Sequence, residues 1–190
     1  MVDDSHAVGF IGEGGRGTPA LFGVQDRVDI VTGTLGKALG GASGGYISSH
    51  QAIIDWLKQR SRPYLFSNSL APMIAQTSYE ILQWLQKNPE LQKQLEWNTS
   101  FFRHGLTELG FKLIPGNHPI IPIMLGEAKL AQQMAEALLH EGVYVIGFSY
   151  PVVPMGQARI RTQMSASLNK TQLEFALQAF AKVGQQLNVI

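Results

Sequence analysis

Three observations in the sequence predict an α/β fold. Short β-branched runs end in glycine, amphipathic stretches of helical spacing lie between them, and strand and helix patterns keep alternating in the second half. VDIVTG (28–33) has the pattern of a buried strand feeding a loop. GGYISS (44–49) reads as a second strand and PYLFS (63–67) as a third. Between these two, HQAIIDWLKQR (50–60) carries Ile53, Ile54 and Leu57 at helix spacing. From Pro72 the apolar positions Ile74, Tyr79, Ile81, Leu82 and Leu85 recur at helical intervals until Asn88-Pro89 breaks the run. A second amphipathic helix starts at Pro89 and stops near Gly110. Beyond it FKLI, IIPIML, VYVIGFSY and ARIRTQM read as strands, interleaved with helices at 128–141 and 171–187. This change of pattern divides the chain into residues 1–88 and a smaller α/β layer, 89–190. At the front, Met1-Val2 is too short for a complete strand, so the chain begins in the middle of something.

Composition narrows the classes. A chain of 190 residues, 45% hydrophobic and 15% charged, can bury a core. With a formal charge of +1 and scattered lysines and arginines, it has no electrostatic footprint for nucleic acid. The absence of cysteine excludes disulfides, thiolate zinc sites and a cysteine nucleophile, and fits a reducing cytoplasm. Val2-Asp3-Asp4 after Met1 is no secretory leader, and no apolar run approaches membrane-spanning length, so the expectation is a soluble, cytoplasmic protein with no membrane partner.

VTGTLGKALGG (31–41) sets one lysine, Lys37, among glycines directly after an apolar run. Glycines beside a lysine suit two kinds of site, a phosphate loop or a Schiff-base site in which a flat cofactor approaches the backbone. The P-loop pattern fails at two positions: Val31 stands where the first glycine belongs, and Ala38 replaces the magnesium-binding hydroxyl. A solvated lysine beside a tight turn is the plain alternative.

Four more clusters carry polar chemistry. DDSHAVG (3–9) puts Asp3, Asp4 and His6 just past a strand end, where open α/β sheets build sites; a turn rich in capping residues would look the same. No further ligands stand nearby at metal-binding spacing, so no metal is expected. GEGGRG (12–17) spells G-x-G-x-x-G but does not open a helix after a strand, so it reads as a flexible surface or lid loop with Arg16 in solvent. RPYLFSNSLAP (62–72) packs Ser67, Asn68 and Ser69 before a helix start, suited to a phosphate or to a plain N-cap. ARIRTQMSAS (158–167) alternates Arg159 and Arg161 on one face of a strand, where they hold a small carboxylate or face solvent.

Together these groups match the needs of a pyridoxal phosphate site: an aspartate for the ring nitrogen, a histidine for the ring hydroxyl, an imine-forming lysine, hydroxyls for a phosphate and an arginine for a carboxylate. In order, DDSHAVGFIG, VDIVTGTLGKALGGASGG, RPYLFSNSLAP and ARIRTQMSA resemble the α-oxoamine synthases, a group of fold-type-I pyridoxal phosphate enzymes. The resemblance covers essentially the whole chain, and both the 31-position separation of His6 and Lys37 and the T-G-T-L-G-K context match the pattern.

The resemblance implies the C-terminal part of the large domain of an aspartate aminotransferase-like fold, followed by a small α/β domain. It implies that Lys37 forms the imine and moves protons at the substrate Cα, that Asp3 pairs with the pyridinium nitrogen, and that His6 contacts the ring hydroxyl. Thr34 matches a phosphate ligand, Phe66 and Ser67 match a segment donated across a homodimer to the neighbour's phosphate, and Arg161 matches the substrate-carboxylate arginine, which leaves Arg159 structural. The YLFSNSLAP and FSYPVVPMGQARIR stretches favour the branch that condenses glycine with acetyl-coenzyme A to 2-amino-3-oxobutyrate, in threonine breakdown. An 8-amino-7-oxononanoate synthase-like enzyme, using another amino acid or a longer acyl thioester, is the alternative within the family. A non-catalytic α/β dimerisation fragment is the alternative outside it. Family members are about twice this length. The half ahead of DDSH is absent, so the expectation is a C-terminal fragment with little acyltransferase activity alone.

Overall fold

The computed structural model describes residues 1–40 and 43–190; Gly41 and Ala42, the end of the lysine-bearing glycine stretch and its neighbour, lie outside the described residues. The chain forms two compact units, Met1–Gln92 and Lys93–Ile190.

In the first unit, β1 (Val2–Asp3) pairs in parallel with β2 (Ile30–Thr34), bringing Asp3 opposite Thr32, and β2 pairs antiparallel with β3 (Gly45–Ser49). The sheet order is β1-β2-β3. Gly33, next to the end of β2, leaves room for Tyr46, because a Cβ there would run into the Tyr46 ring and its hydroxyl. Helices α2 (Gln51–Arg60) and α4 (Pro72–Lys87) match the periodicity read from the sequence.

Three expectations fail in this unit. PYLFS is not a strand: Arg62–Phe66 forms a short helix, α3, with Pro63 preset for its first turn and the Arg62 guanidinium over the Phe66 ring at 5.5 Å, an i, i+4 pair. Ser67, Asn68 and Ser69 do not cap α4, whose N-cap is Ala71 without a side-chain bond; Pro72 opens that helix and needs no donor satisfied. GEGGRG is a tied turn and not an open loop. Gly9 N–H donates to Gly15 O, Gly17 N–H to Ile11 O, and the Gln92 amide to Gly12 O at 2.6 Å. After it comes α1 (Thr18–Leu21).

Apolar burial in the first unit is thin. Among the described residues of Met1–Gln92, the buried hydrophobic side chains are Ala7, Leu35 and Leu39. Large ones lie outside, including Trp56, Tyr64, Phe66 (78% exposed), Met73 (75%), Tyr79 and Trp84.

The second unit is built differently. Helix α5 (Glu90–Glu108), in which the division between units falls, precedes β4 (Ile120–Gly126), α6 (Ala128–His140), β5 (Ile146–Phe148), β6 (Ala158–Gln163) and α7 (Lys170–Gln186). The sheet is antiparallel in the order β4-β6-β5, with β6 central. FKLI contributes only a bridge, Leu113 to Ile123, and the strand within VYVIGFSY is limited to its middle because Val143 N–H still donates to Leu138 O, closing the end of α6.

Period-2 alternation sorts β6 cleanly. Ala158, Ile160 and Thr162 are buried, while Arg159 and Arg161 share the other face. Ile160 joins Ile121 and Ile123 of β4 in a core with Phe102 and Leu106 of α5, Met134 and Leu138 of α6, and Phe180 and Val183 of α7. The Phe180 ring meets Phe102 and Phe111 edge-on at 6.0 and 5.8 Å. Asn98, fully buried on α5, donates to Ser165 O at 2.7 Å and Leu168 O at 2.9 Å, fixing the segment that leads into α7. Asn169 and Gln172 then open α7 with a reciprocal capping box.

Candidate active site

The DDSH segment splits its two aspartates by duty. Asp3 ends β1 exposed, and its Oδ1 accepts from the Ser5 hydroxyl at 2.7 Å and the Ser5 N–H at 3.0 Å. The Ser5 hydroxyl and then its amide hold the Asp3 carboxyl below its ordinary value against desolvation, with smaller help from Thr32 and from the positive charge of Lys37. Asp4 is buried, and its two oxygens accept from Thr18 N–H at 3.1 and 3.0 Å, fastening the start of α1. Gly17 has no room for a side chain because a Cβ there would overlap Asp4 Oδ2. Burial, and then the negative charge of Asp4, raises the Tyr46 hydroxyl above its ordinary value. His6 lies exposed in the turn that follows.

Lys37 stands three residues beyond β2, exposed, in the bend that β2 feeds. Its carbonyl accepts from Gly40 N–H, closing the turn. Among the described residues no hydrogen bond holds its amine, while its charge acts on Asp3, one strand away. Thr34 shapes the same loop: its hydroxyl accepts from Gly36 N–H at 3.2 Å and donates to Gly44 O at 3.3 Å. Asp3, Thr32, Thr34 and Lys37 thus gather at one end of two paired strands.

Phe66 and Ser67 sit at the exposed end of α3, with Arg62 against Phe66. Arg161, in the second unit, stacks its guanidinium on the Phe148 ring at 4.5 Å and makes no hydrogen bond or ion pair among the described residues. Arg159 is tied to its own chain, donating to Gln157 O at 3.0 Å and to the Gln157 amide oxygen at 3.2 Å.

The sequence reading missed Ser5, although D-x-S is the spacing of an Asx-type turn and carries that signal. It also missed Asp4 as an anchor, whose partner lies 14 residues away and leaves no local trace. Among the described residues no group of three or more His, Asp or Glu could hold a metal ion, and no helix is long and apolar enough to cross a membrane.

Lys37 lies just past β2, its charge acting on Asp3 at the end of the neighbouring β1, within an α/β chain of two units. The chain belongs to the family aminotransferase class I and II, whose model matches residues 1–180. It is 56% identical, over all 190 residues, to 2-amino-3-ketobutyrate coenzyme A ligase from Escherichia coli (strain K12), covering 48% of that protein. The mitochondrial protein of the same name from Mus musculus is 47% identical over 185 residues, 97% of this chain and 44% of the relative. An 8-amino-7-oxononanoate synthase from Exiguobacterium sibiricum is 42% identical over 190 residues, all of this chain and 48% of the relative. Among solved structures, serine palmitoyltransferase from S. paucimobilis with a bound PLP–myriocin aldimine matches with a TM-score of 0.94 at 30% identity, over all of this chain and 48% of that one. The chain spans about half the length of the curated relatives it matches. Its fold is that of the corresponding part of these fold-type-I pyridoxal phosphate transferases.

Proposed function

We propose that this chain carries the lysine-bearing part of a pyridoxal phosphate-dependent C-acyltransferase that condenses glycine with acetyl-coenzyme A to give 2-amino-3-oxobutyrate and coenzyme A. The observation that carries the reading is Lys37 just past β2 with its charge acting on Asp3 at the end of the neighbouring β1, in a chain 56% identical throughout to a 2-amino-3-ketobutyrate coenzyme A ligase.

The residues present fit the cofactor on chemical grounds. An ionised carboxylate is what keeps a ring nitrogen protonated, and the Ser5 hydrogen bonds favour the ionised form of Asp3. An exposed amine is available as the attachment point, and Lys37 is one, with no hydrogen-bond partner among the described residues. When bound, pyridoxal phosphate supplies an electron sink for a carbanion at the amino-acid Cα.

In this reading Lys37 holds the cofactor and moves the proton at Cα, Asp3 holds the ring nitrogen, and His6 faces the ring hydroxyl. Thr34 contributes to phosphate binding, which requires its hydroxyl to turn away from Gly44 O. Phe66 and Ser67 serve the phosphate of a second copy in a homodimer, consistent with their exposure at the end of α3. Arg161 holds the carboxylate of glycine, consistent with a guanidinium whose N–H groups have no partner among the described residues. The division into a large-domain part, 1–88, and a small domain, 89–190, a cytoplasmic location and a place in threonine catabolism belong to the same reading.

The test is reductive trapping. The purified chain is mixed with pyridoxal phosphate, reduced with borohydride and mapped by peptide mass. Label confined to Lys37, and lost in Lys37→Ala, is the expected result. Label spread over surface lysines, or none, rejects the assignment and leaves an association-only fragment. The 42% identity to an 8-amino-7-oxononanoate synthase favours a second reading with another amino acid or a longer acyl thioester. Turnover of matched amino acid and acyl-coenzyme A pairs by the family-length protein separates the two.

A further inference from the structure

The second unit contains an apolar groove of about 790 Å³, within the size range of small-molecule sites. Its deep wall is made by Phe102, Leu173 and Phe180, all buried core side chains. Its rim is made by Tyr144, Ile146 and Phe175, which are 77%, 49% and 52% exposed. The groove opens where the edge strand β5 stops pairing: Ile146 is opposite Arg161, and Thr162 and Gln163 continue past it with partners only on β4. Among the described residues of the lining, Arg161 is the one charged side chain.

This combination selects a ligand class. A groove with one cation and otherwise apolar or neutral walls is complementary to a molecule with one negative charge and an apolar body. Arg161 is held by stacking on Phe148, so its planar fork is set in orientation while its N–H groups have no acceptor among the described residues. We propose that the groove binds medium-chain monocarboxylates, with the carboxylate on Arg161 and the alkyl chain laid along the Phe175 and Tyr144 rim toward Leu173. Neither Lys37 nor a bound cofactor takes part in this binding, so it stands or falls apart from the trapping result. Because the same guanidinium is read above as the anchor for the carboxylate of glycine, such ligands compete with the amino acid where that reading holds.

The experiment is calorimetric titration of the purified chain with butanoate, hexanoate, octanoate and octan-1-ol, all below aggregation of the ligand. Affinity is expected to rise about fourfold for each methylene buried. Octan-1-ol is expected to bind about tenfold or more weakly than octanoate, and Arg161→Gln to remove that difference. Phe175→Asp, which sets a like charge on the rim, is expected to weaken octanoate and leave the melting temperature unchanged, as both substituted side chains are exposed. The proposal is overturned if octanoate fails to bind, if it binds no better than butanoate or octan-1-ol, if Arg161→Gln binds it as the parent does, or if Phe175→Asp does so.

Discussion

Asp3 and Asp4 are adjacent in the chain, yet one is spent on structure and the other is kept ionised in solvent. The difference comes from Ser5 and Thr18, the hydrogen-bond donors each carboxylate meets. Replacing Ser5 by Ala removes the larger stabiliser of the Asp3 anion, so its titration midpoint should rise toward the ordinary carboxylate value. The sign for stability follows from linkage. A depressed native pKa contributes stability above the unfolded value and loses it as pH falls through the native one. The Ser5→Ala variant should therefore show a narrower acid window in which stability declines, close to the ordinary carboxylate range. Carbon-detected NMR of the Asp3 carboxyl reads the midpoint directly, and an unchanged midpoint would show that Ser5 does not set it. The sequence displays Asp3 and Lys37 as isolated polar residues past apolar runs. Their proximity comes from the parallel pairing of β1 with β2, which a two-residue strand is too short to announce.

At the level of elements, strong periodicity was readable and short elements were not. Helices α4, α6 and α7 present long amphipathic repeats, and β6 alternates buried and exposed residues over its six positions. Helix α3 has five residues, all on the surface, so no face is buried to imprint a period, and its aromatic and leucine content imitates a strand. The GEGGRG turn misleads for a related reason: its glycines answer backbone contacts made by Gly9, Ile11 and Gln92, none of which the motif contains. Tertiary ties of this kind carry measurable energy. Asn98→Ala leaves the Ser165 and Leu168 carbonyls without their buried donor and should destabilise the second unit by about 2 kcal/mol. Urea unfolding followed by the circular dichroism of the helices checks this, and a change within a few tenths of a kcal/mol would show that Asn98 is not a clamp.

On the scale of the whole molecule, the two units share a chain but not a level of apolar burial. The second has a continuous core from α5 to α7, whereas buried hydrophobic side chains in the first reduce, among the described residues, to Ala7, Leu35 and Leu39. Native-state hydrogen exchange should therefore be faster for amides of β2 and β3 than for those of β4, β6 and α7, and equal protection would mean that burial does not set the order. None of this imbalance is visible in the composition, because apolar residues are plentiful in both units and the sequence does not say which face outward. The outward ones on the first unit, among them Trp56, Phe66, Met73 and Trp84, have a colloidal consequence. A chain with a formal charge of +1 has almost no long-range repulsion to hold such surfaces apart. Attraction between copies, and not the folding equilibrium, then sets the concentration at which this chain stays dispersed.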